Sequence, residues 1–64
     1  MKLYNVPRES FVLVDGRILF FDHVDGMYSV CFDKLGRLVH LSAFSDVKVV
    51  NKPENWDENN DKEI

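Results

Sequence analysis

Two Asp-Gly pairs, Asp15-Gly16 and Asp25-Gly26, lie between apolar stretches and constrain the fold more than any other feature of the sequence. Asp-Gly readily adopts the left-handed backbone angles of tight hairpins, so each pair predicts a two-residue β-hairpin loop. A third signal, Asp33-Lys34-Leu35-Gly36, has Asp first and Gly fourth, as a type I turn followed by a glycine bulge prefers. The chain is therefore predicted to be all-β and built on three successive hairpins.

The stretches between these turns are rich in β-branched and aromatic residues, the types that are enriched in strands. Five strands are predicted, over Ser10–Val14, Arg17–Val24, Met27–Phe32, Arg37–Leu41 and Val47–Val50. Before the last strand, Ser42-Ala43-Phe44-Ser45 interrupts the alternation and predicts one short 3₁₀ turn. This order of elements is typical of a small five-stranded SH3-like barrel. An OB-fold is the alternative, although it usually needs a helix and no stretch of the chain has helical periodicity.

The 64 residues are enough for one domain, which we expect to span residues 10–51. Residues 1–9 are predicted to be extended, because Pro7 disfavours helical angles at the residue before it. Residues 52–64 are polar and are predicted to form a flexible acidic tail. The chain carries a net charge of −3, of which the residues up to Pro53 contribute +1 and the rest contribute −4.

Cys31 is the single cysteine, so no disulfide can form within the chain. Its apolar surroundings predict a small buried side chain rather than a reactive thiol, and a lone thiol is typical of a reducing compartment. No apolar run approaches the ~18 residues of a membrane-spanning helix. Residues 1–5 also lack the apolar segment of a secretion signal. We therefore expect a cytoplasmic protein.

The predicted turns also set the register of the strands, and the register decides which side chains share a face of the sheet. One face is predicted to form the core, with Phe11, Leu13, Ile18, Phe20, Ser29, Cys31, Val39 and Leu41, closed by Phe44, Val47 and Val49. The opposite face is predicted to collect Val12, Leu19, Phe21, His23, Tyr28, Val30, Phe32, Leu38 and His40. A two-residue third turn would instead exchange the faces of β-strand residues 38–41.

A contiguous apolar and aromatic surface on a small domain usually marks an interaction site. We therefore predict that a partner protein contacts the opposite face through Phe21, His23, Tyr28, Val30, Phe32 and His40. Self-association through this face and cover by the chain's own termini are the alternatives. Trp56, among acidic residues, is a further candidate contact. It is either the aromatic anchor of a linear motif or a side chain packed on the end of the domain.

The same pattern argues against catalysis, a metal ion and a cofactor. Because His23 and His40 are predicted to lie on the face opposite Cys31, they make neither a structural metal site nor a Cys-His nucleophile with it. Most acidic residues lie in turns that need them structurally, and no glycine-rich phosphate loop occurs. Single-stranded nucleic-acid binding remains an alternative, since exposed aromatic rings stack on bases. The weak net charge of the barrel and the acidic tail disfavour it.

The stretch from Phe20 to Val49 resembles small uncharacterised accessory proteins of tailed bacteriophages. The likeness covers about half of the chain and lies in Asp25–Ser29, Cys31, Gly36, Val39–Leu41 and Ala43-Phe44, with a similar opening at Asn5–Arg8. It implies a phage protein made inside a bacterium that binds and modulates or inhibits one host protein. A subunit of the virion or of its assembly is the other role that such a context allows. The resemblance transfers no catalytic or binding residue.

Overall fold

The computed structural model describes residues 1–54 and residue 56. A 3₁₀ helix, Leu3–Asn5, precedes five strands: β1 (Ser10–Val14), β2 (Arg17–Asp25), β3 (Tyr28–Phe32), β4 (Leu38–Val39) and β5 (Lys48–Val50). All neighbours pair antiparallel in a single sheet of order β4-β3-β2-β1-β5. The all-β prediction is confirmed. Over the residues described, however, the sheet is open, with β4 and β5 at its edges, and does not close into a barrel.

The first hairpin has the predicted two-residue loop. Asp15 and Gly16 have φ angles of 52° and 79°, in the left-handed region that a type I′ turn needs at both central positions. Val14 pairs with Arg17, so the predicted register of β1 and β2 is confirmed along the whole hairpin.

The second hairpin turns one residue later than predicted. Asp25 pairs with Tyr28, which leaves Gly26 and Met27 as the loop. Of the two, only Gly26 has a positive φ, at 69°. A type II′ turn places glycine at this first central position. The prediction of a hairpin at Asp25-Gly26 is therefore confirmed, but the predicted pair of loop residues is wrong.

A β-bulge at Asp22 then shifts the pairing of β2 with β3. The register changes between Phe21, which lies opposite Cys31, and His23, which lies opposite Val30. Because side chains alternate between faces along a strand, one extra residue puts Phe21 and His23 on opposite faces of the sheet.

The third hairpin is the bulged turn that the sequence predicts. The N–H of Asp33 donates to the carbonyl of Arg37 at 3.0 Å, and the N–H of Gly36 donates to the carbonyl of Asp33 at 2.9 Å. Gly36 has a φ of 83°, as the bulge position requires. The predicted register of β3 and β4 is confirmed, with Cys31 opposite Val39.

The core lies on one face of the sheet and is closed by the start of the chain. Its buried apolar residues are Leu3, Val6, Val12, Leu19, Phe21, Cys31, Ala43 and Val47. Backbone hydrogen bonds join residues 1–4 to residues 43–47, among them Leu3 N–H to the Ser45 carbonyl at 2.9 Å and Val47 N–H to the Met1 carbonyl at 2.8 Å. Residues 1–6 are therefore part of the domain, and the prediction of an extended segment is wrong at the 3₁₀ helix Leu3–Asn5.

The structure exchanges the two predicted faces over β1 and β2. Val12, Leu19 and Phe21, which the sequence assigns to the exposed face, are buried in the core. Four residues of the predicted core are instead half-buried on the other face: Phe11, Leu13, Ile18 and Phe20. The physical reason is that β1 and β2 carry apolar residues at both alternating positions, so the pattern by itself does not choose a face.

The segment before the last strand also differs from its prediction. Ser45 N–H donates to the Ser42 carbonyl at 3.0 Å, which closes a turn, while the 3₁₀ helix lies near the start of the chain instead. Phe44 is 55% exposed and Val49 is 43% exposed, so neither closes the core. Most of the predicted acidic tail, residue 55 and residues 57–64, lies outside the described residues.

Candidate interaction surface

The face of the sheet opposite the core carries a second set of apolar side chains, which we call the outer face. Strand alternation assigns to it the residues that flank the buried positions along each strand. Its apolar members are Phe11, Leu13, Ile18, Phe20, Val30, Phe32, Leu38 and Val50, and its polar and aromatic members include His23, Asp25, Tyr28, His40 and Lys48. Both faces of this small sheet are thus largely apolar.

Five outer-face residues lie side by side across all five strands. In strand order β5 to β4 they are Val50, Phe11, Phe20, Phe32 and Leu38, each paired with the next. The rings of Phe11 and Phe20 meet edge to face with centroids 5.2 Å apart, a favourable aromatic geometry. Leu38, at the sheet edge, is 54% exposed. We call these five residues the aromatic row.

Trp56 lies over one end of the aromatic row. Its ring centroid is 5.0 Å from that of Phe11, with an interplanar angle of 80°. Trp56 N–H donates to the Pro53 carbonyl at 3.1 Å, so a turn after β5 brings the chain back towards the sheet. This contact favours the interpretation in which Trp56 packs on the domain, and its role in contacting a partner stays a prediction.

A shallow groove of about 420 Å³ lies at the end of the outer face nearest the second hairpin, lined by Asp25, Tyr28, Ser29, Val30 and His40. Tyr28 is 60% exposed. His40 Nδ1 lies 2.9 Å from the carbonyl oxygen of Ser29, and since a carbonyl only accepts, Nδ1 is the donor. In the neutral imidazole, Nε2 is then left as a hydrogen-bond acceptor.

Five of the predicted contact residues come together on the outer face, among them His23, which is paired with Val30 across β2 and β3. Tyr28, Val30 and His40 line the groove, and Phe32 belongs to the aromatic row. These four share a face because the register of β3 and β4 follows the predicted turn.

His23 and Phe21 are separated by the bulge. His23 is half-buried on the outer face, with Nδ1 2.6 Å from Asp22 Oδ2. Phe21 is only 1% exposed and lies in the core, so the prediction that it belongs to the exposed face is wrong. The residues missed in its place are Phe11 and Phe20.

One sequence signal for the correct face does exist. Leu3 and Val6 are apolar residues outside the predicted strands, and both are buried against the sheet. Apolar residues at the start of the chain indicate that this segment packs on one face of the sheet, and the face that it covers becomes the core. Local alternation within β1 and β2 carries no such information.

Cys31 is placed as its apolar context predicts. It is fully buried, with Sγ 3.3 Å from Ser29 Oγ. Burial raises the pKa of the Cys31 thiol above its usual value, against the opposing effect of the Ser29 hydrogen bond. A raised pKa keeps the thiol protonated, which is the unreactive form. Within residues 1–54 and 56, no group of three or more His, Cys, Asp or Glu side chains is placed to hold a metal ion.

Comparison with protein families, curated proteins and solved structures found no match to this sequence. In the part of the chain that the structure describes, no helix is long and apolar enough to cross a membrane.

Proposed function

We propose that this chain is a non-catalytic protein-interaction module that binds a bacterial host protein through the outer face and thereby modulates or inhibits it. One observation carries the proposal, namely that the aromatic row and its apolar neighbours form a contiguous face on which the described part of the chain leaves each of these side chains at least partly exposed. The opposite face, by contrast, is covered by residues 1–6 and 43–47. Contiguous apolar surface of this kind is typical of interaction sites.

The dimensions of the outer face suit such a role. The five strands have 5, 9, 5, 2 and 3 residues, and with a spacing of about 4.8 Å between strands and a rise of about 3.3 Å per residue they form a face of roughly 400 Å². Standard protein interfaces bury about 800 Å² on each partner, with an apolar centre and a polar rim. The aromatic row would form the centre, while the groove and Lys48 at opposite ends of the sheet belong to the rim.

The resemblance to phage accessory proteins supports the proposal of a bacterial protein as the partner, bound in a bacterial cytoplasm. The proposed mechanism is steric masking, in which the bound chain blocks other molecules from the surface of the host protein that it covers. Large side chains near the centre of an interface usually contribute most of the binding energy. Phe32 and Leu38 are the anchors we expect, because Trp56 already packs at the other end of the row.

The proposal is tested by a tagged pull-down from bacterial lysate, with and without nuclease, followed by mass spectrometry. Leu38→Glu puts a charge into the aromatic row at an exposed position, so the fold should persist. Leu35→Glu is the matched control, since Leu35 is 64% exposed in the turn of the same hairpin. We expect one nuclease-resistant host protein that wild type and Leu35→Glu retain and Leu38→Glu loses. Equal retention by both variants would refute the outer face as the contact surface.

A second candidate function is single-stranded nucleic-acid binding, favoured by the adjacent, partly exposed rings of Phe11, Phe20 and Phe32 on the outer face. Such aromatic platforms stack on successive bases. This face attracts phosphate groups only weakly, because among the described strand residues alternation assigns it a single Lys or Arg side chain, that of Lys48. The candidate predicts that a labelled oligothymidylate binds with an affinity that falls steeply with salt. Proteins lost from the pull-down on nuclease treatment would favour this second function.

A further inference from the structure

The groove at the end of the outer face differs chemically from the aromatic row. Asp25 makes no side-chain hydrogen bond or ion pair with any described residue, and its side chain is exposed. Of residues 1–54 and 56, no Lys or Arg lines the groove. Within the described part of the chain, this acidic side chain therefore has no paired cation beside the groove.

The sheet register sets the arrangement of the groove. Asp25 and Tyr28 are directly paired across β2 and β3, so their Cβ atoms lie about 5 Å apart on the same face. Val30 is two residues further along β3 and gives the groove an apolar lining. His40 stands on the other side of β3, held by its hydrogen bond to the Ser29 carbonyl.

We propose, on the basis of the function proposed above, that this groove binds an arginine side chain of the partner protein. A guanidinium is planar, stacks on an aromatic ring and donates to a carboxylate through two N–H groups. Tyr28 supplies the ring, Asp25 the carboxylate, and Val30 the apolar contact for the methylene stem. Nε2 of neutral His40 is an additional acceptor for a guanidinium N–H.

Other ligands fit the groove less well. Asp25 repels an anion, and a purely apolar ligand would remove its carboxylate from water without a partner. A lysine ammonium is a compact, strongly hydrated charge and does not stack as a guanidinium does. The lining therefore favours arginine over lysine.

The position of the groove also specifies what surrounds the arginine on the partner. Tyr28 and Phe32 lie on the same face of β3, four residues apart, which is about 13 Å along the strand. The partner surface should thus present an apolar side chain to Phe32 and, about 13 Å away, an arginine to the groove.

The test is an NMR titration of the full chain with N-acetyl-arginine-N-methylamide, followed in ¹H–¹⁵N spectra. N-acetyl-norleucine-N-methylamide is the apolar control probe. We expect millimolar binding, with shifts confined to Asp25, Tyr28, Val30 and His40 for the arginine probe and much smaller shifts for norleucine. Asp25→Asn should weaken arginine binding by up to about fivefold, the upper end of the range of an exposed ion pair.

Asp15→Asn is the matched control variant, because Asp15 is also exposed in an Asp-Gly turn and Asn tolerates its left-handed φ. It should bind the arginine probe as wild type does. Equal affinity in Asp25→Asn and wild type, or equal shifts with norleucine, would overturn the arginine site.

The two proposals fail in different ways. A host protein that is captured through the aromatic row but is indifferent to Asp25→Asn, with no arginine shifts in the groove, overturns the arginine site alone. Specific arginine shifts in a chain that captures no protein would instead count against the proposed function and leave the groove intact.

Discussion

Phe21 lies opposite Cys31 across β2 and β3, and both side chains are buried in the core. The next paired residues towards the second hairpin, His23 and Val30, lie on the outer face. The bulge at Asp22 causes this change of face, because β2 advances by two residues between these pairs while β3 advances by one. It allows one strand to contribute a large aromatic residue to the core and a histidine to the outer face.

The assignment of faces predicts unequal costs for two identical substitutions in the first hairpin. Leu19 is 1% exposed in the core, and Leu13 is half-buried on the outer face. Leu19→Ala should lower the free energy of unfolding by about 2–5 kcal/mol, because it leaves a cavity. Leu13→Ala should cost about 1 kcal/mol, because folding removes less of the half-buried Leu13 side chain from water. Urea denaturation followed by circular dichroism measures the stability of both variants. A larger loss of stability for Leu13→Ala would show that Leu13, and not Leu19, lies in the core.

This pair of variants also marks where sequence reasoning stops. Asp15-Gly16 and the Asp33–Gly36 turn determine their own loops locally, so the register of β1 with β2 and of β3 with β4 is predictable. The second hairpin is not, because Asp25-Gly26 is compatible both with a loop at these two residues and with one at Gly26-Met27. The bulge depends on packing between distant residues, which no local signal reports.

The residues of the candidate site also divide into those whose face is predictable from the sequence and those whose face is not. Tyr28, Val30 and Phe32 share a face by simple alternation along β3, and His40 joins them through the third turn, so their grouping is predictable. Phe21 is misplaced because its face depends on the bulge and on cover from the start of the chain.

The carboxylate of Asp33 predicts a pH dependence of stability. Hydrogen bonds to it, the largest from the backbone N–H of Arg37, hold the pKa of this carboxyl below its ordinary value. The unfolded chain then binds a proton at higher pH than the folded chain. The stabilisation is therefore present above the unfolded pKa of about 3.9 and is lost as the pH falls through the lower folded value.

Asp33→Asn isolates this effect, because an Asn oxygen can still accept from the N–H groups of Leu35 and Arg37 that Asp33 Oδ1 binds at 2.9 Å. Urea denaturation of both proteins at pH 6 and at pH 3 is the measurement. Wild type should lose more stability than Asp33→Asn between the two pH values. An identical loss would show that the Asp33 carboxyl does not contribute to the acid sensitivity.

The burial of Cys31 predicts slow chemical modification. Its Sγ is inaccessible and its thiol pKa is raised by burial, so a disulfide reagent such as DTNB should react only when the core opens. Modification should be fast in 6 M urea and much slower in buffer. Leu19→Ala should accelerate it in buffer by increasing the open population, while Leu13→Ala should have a smaller effect. Rapid labelling of folded wild type would contradict a buried thiol.

The start of the chain supplies the last prediction, since a domain that began at residue 10 would not need residues 1–6. Leu3 is fully buried, whereas its neighbour Tyr4 is 50% exposed and meets Phe44 edge to face at 5.6 Å. Leu3→Ala should therefore lower the free energy of unfolding by about 2–5 kcal/mol, a large part of the stability of so small a domain. Tyr4→Ala should cost about 1 kcal/mol, the scale of a single aromatic pair. Thermal and urea denaturation of the two variants separates these values. A Leu3→Ala protein as stable as wild type would mean that the sheet folds without this cover, and the apolar surface available to a partner would then include both faces.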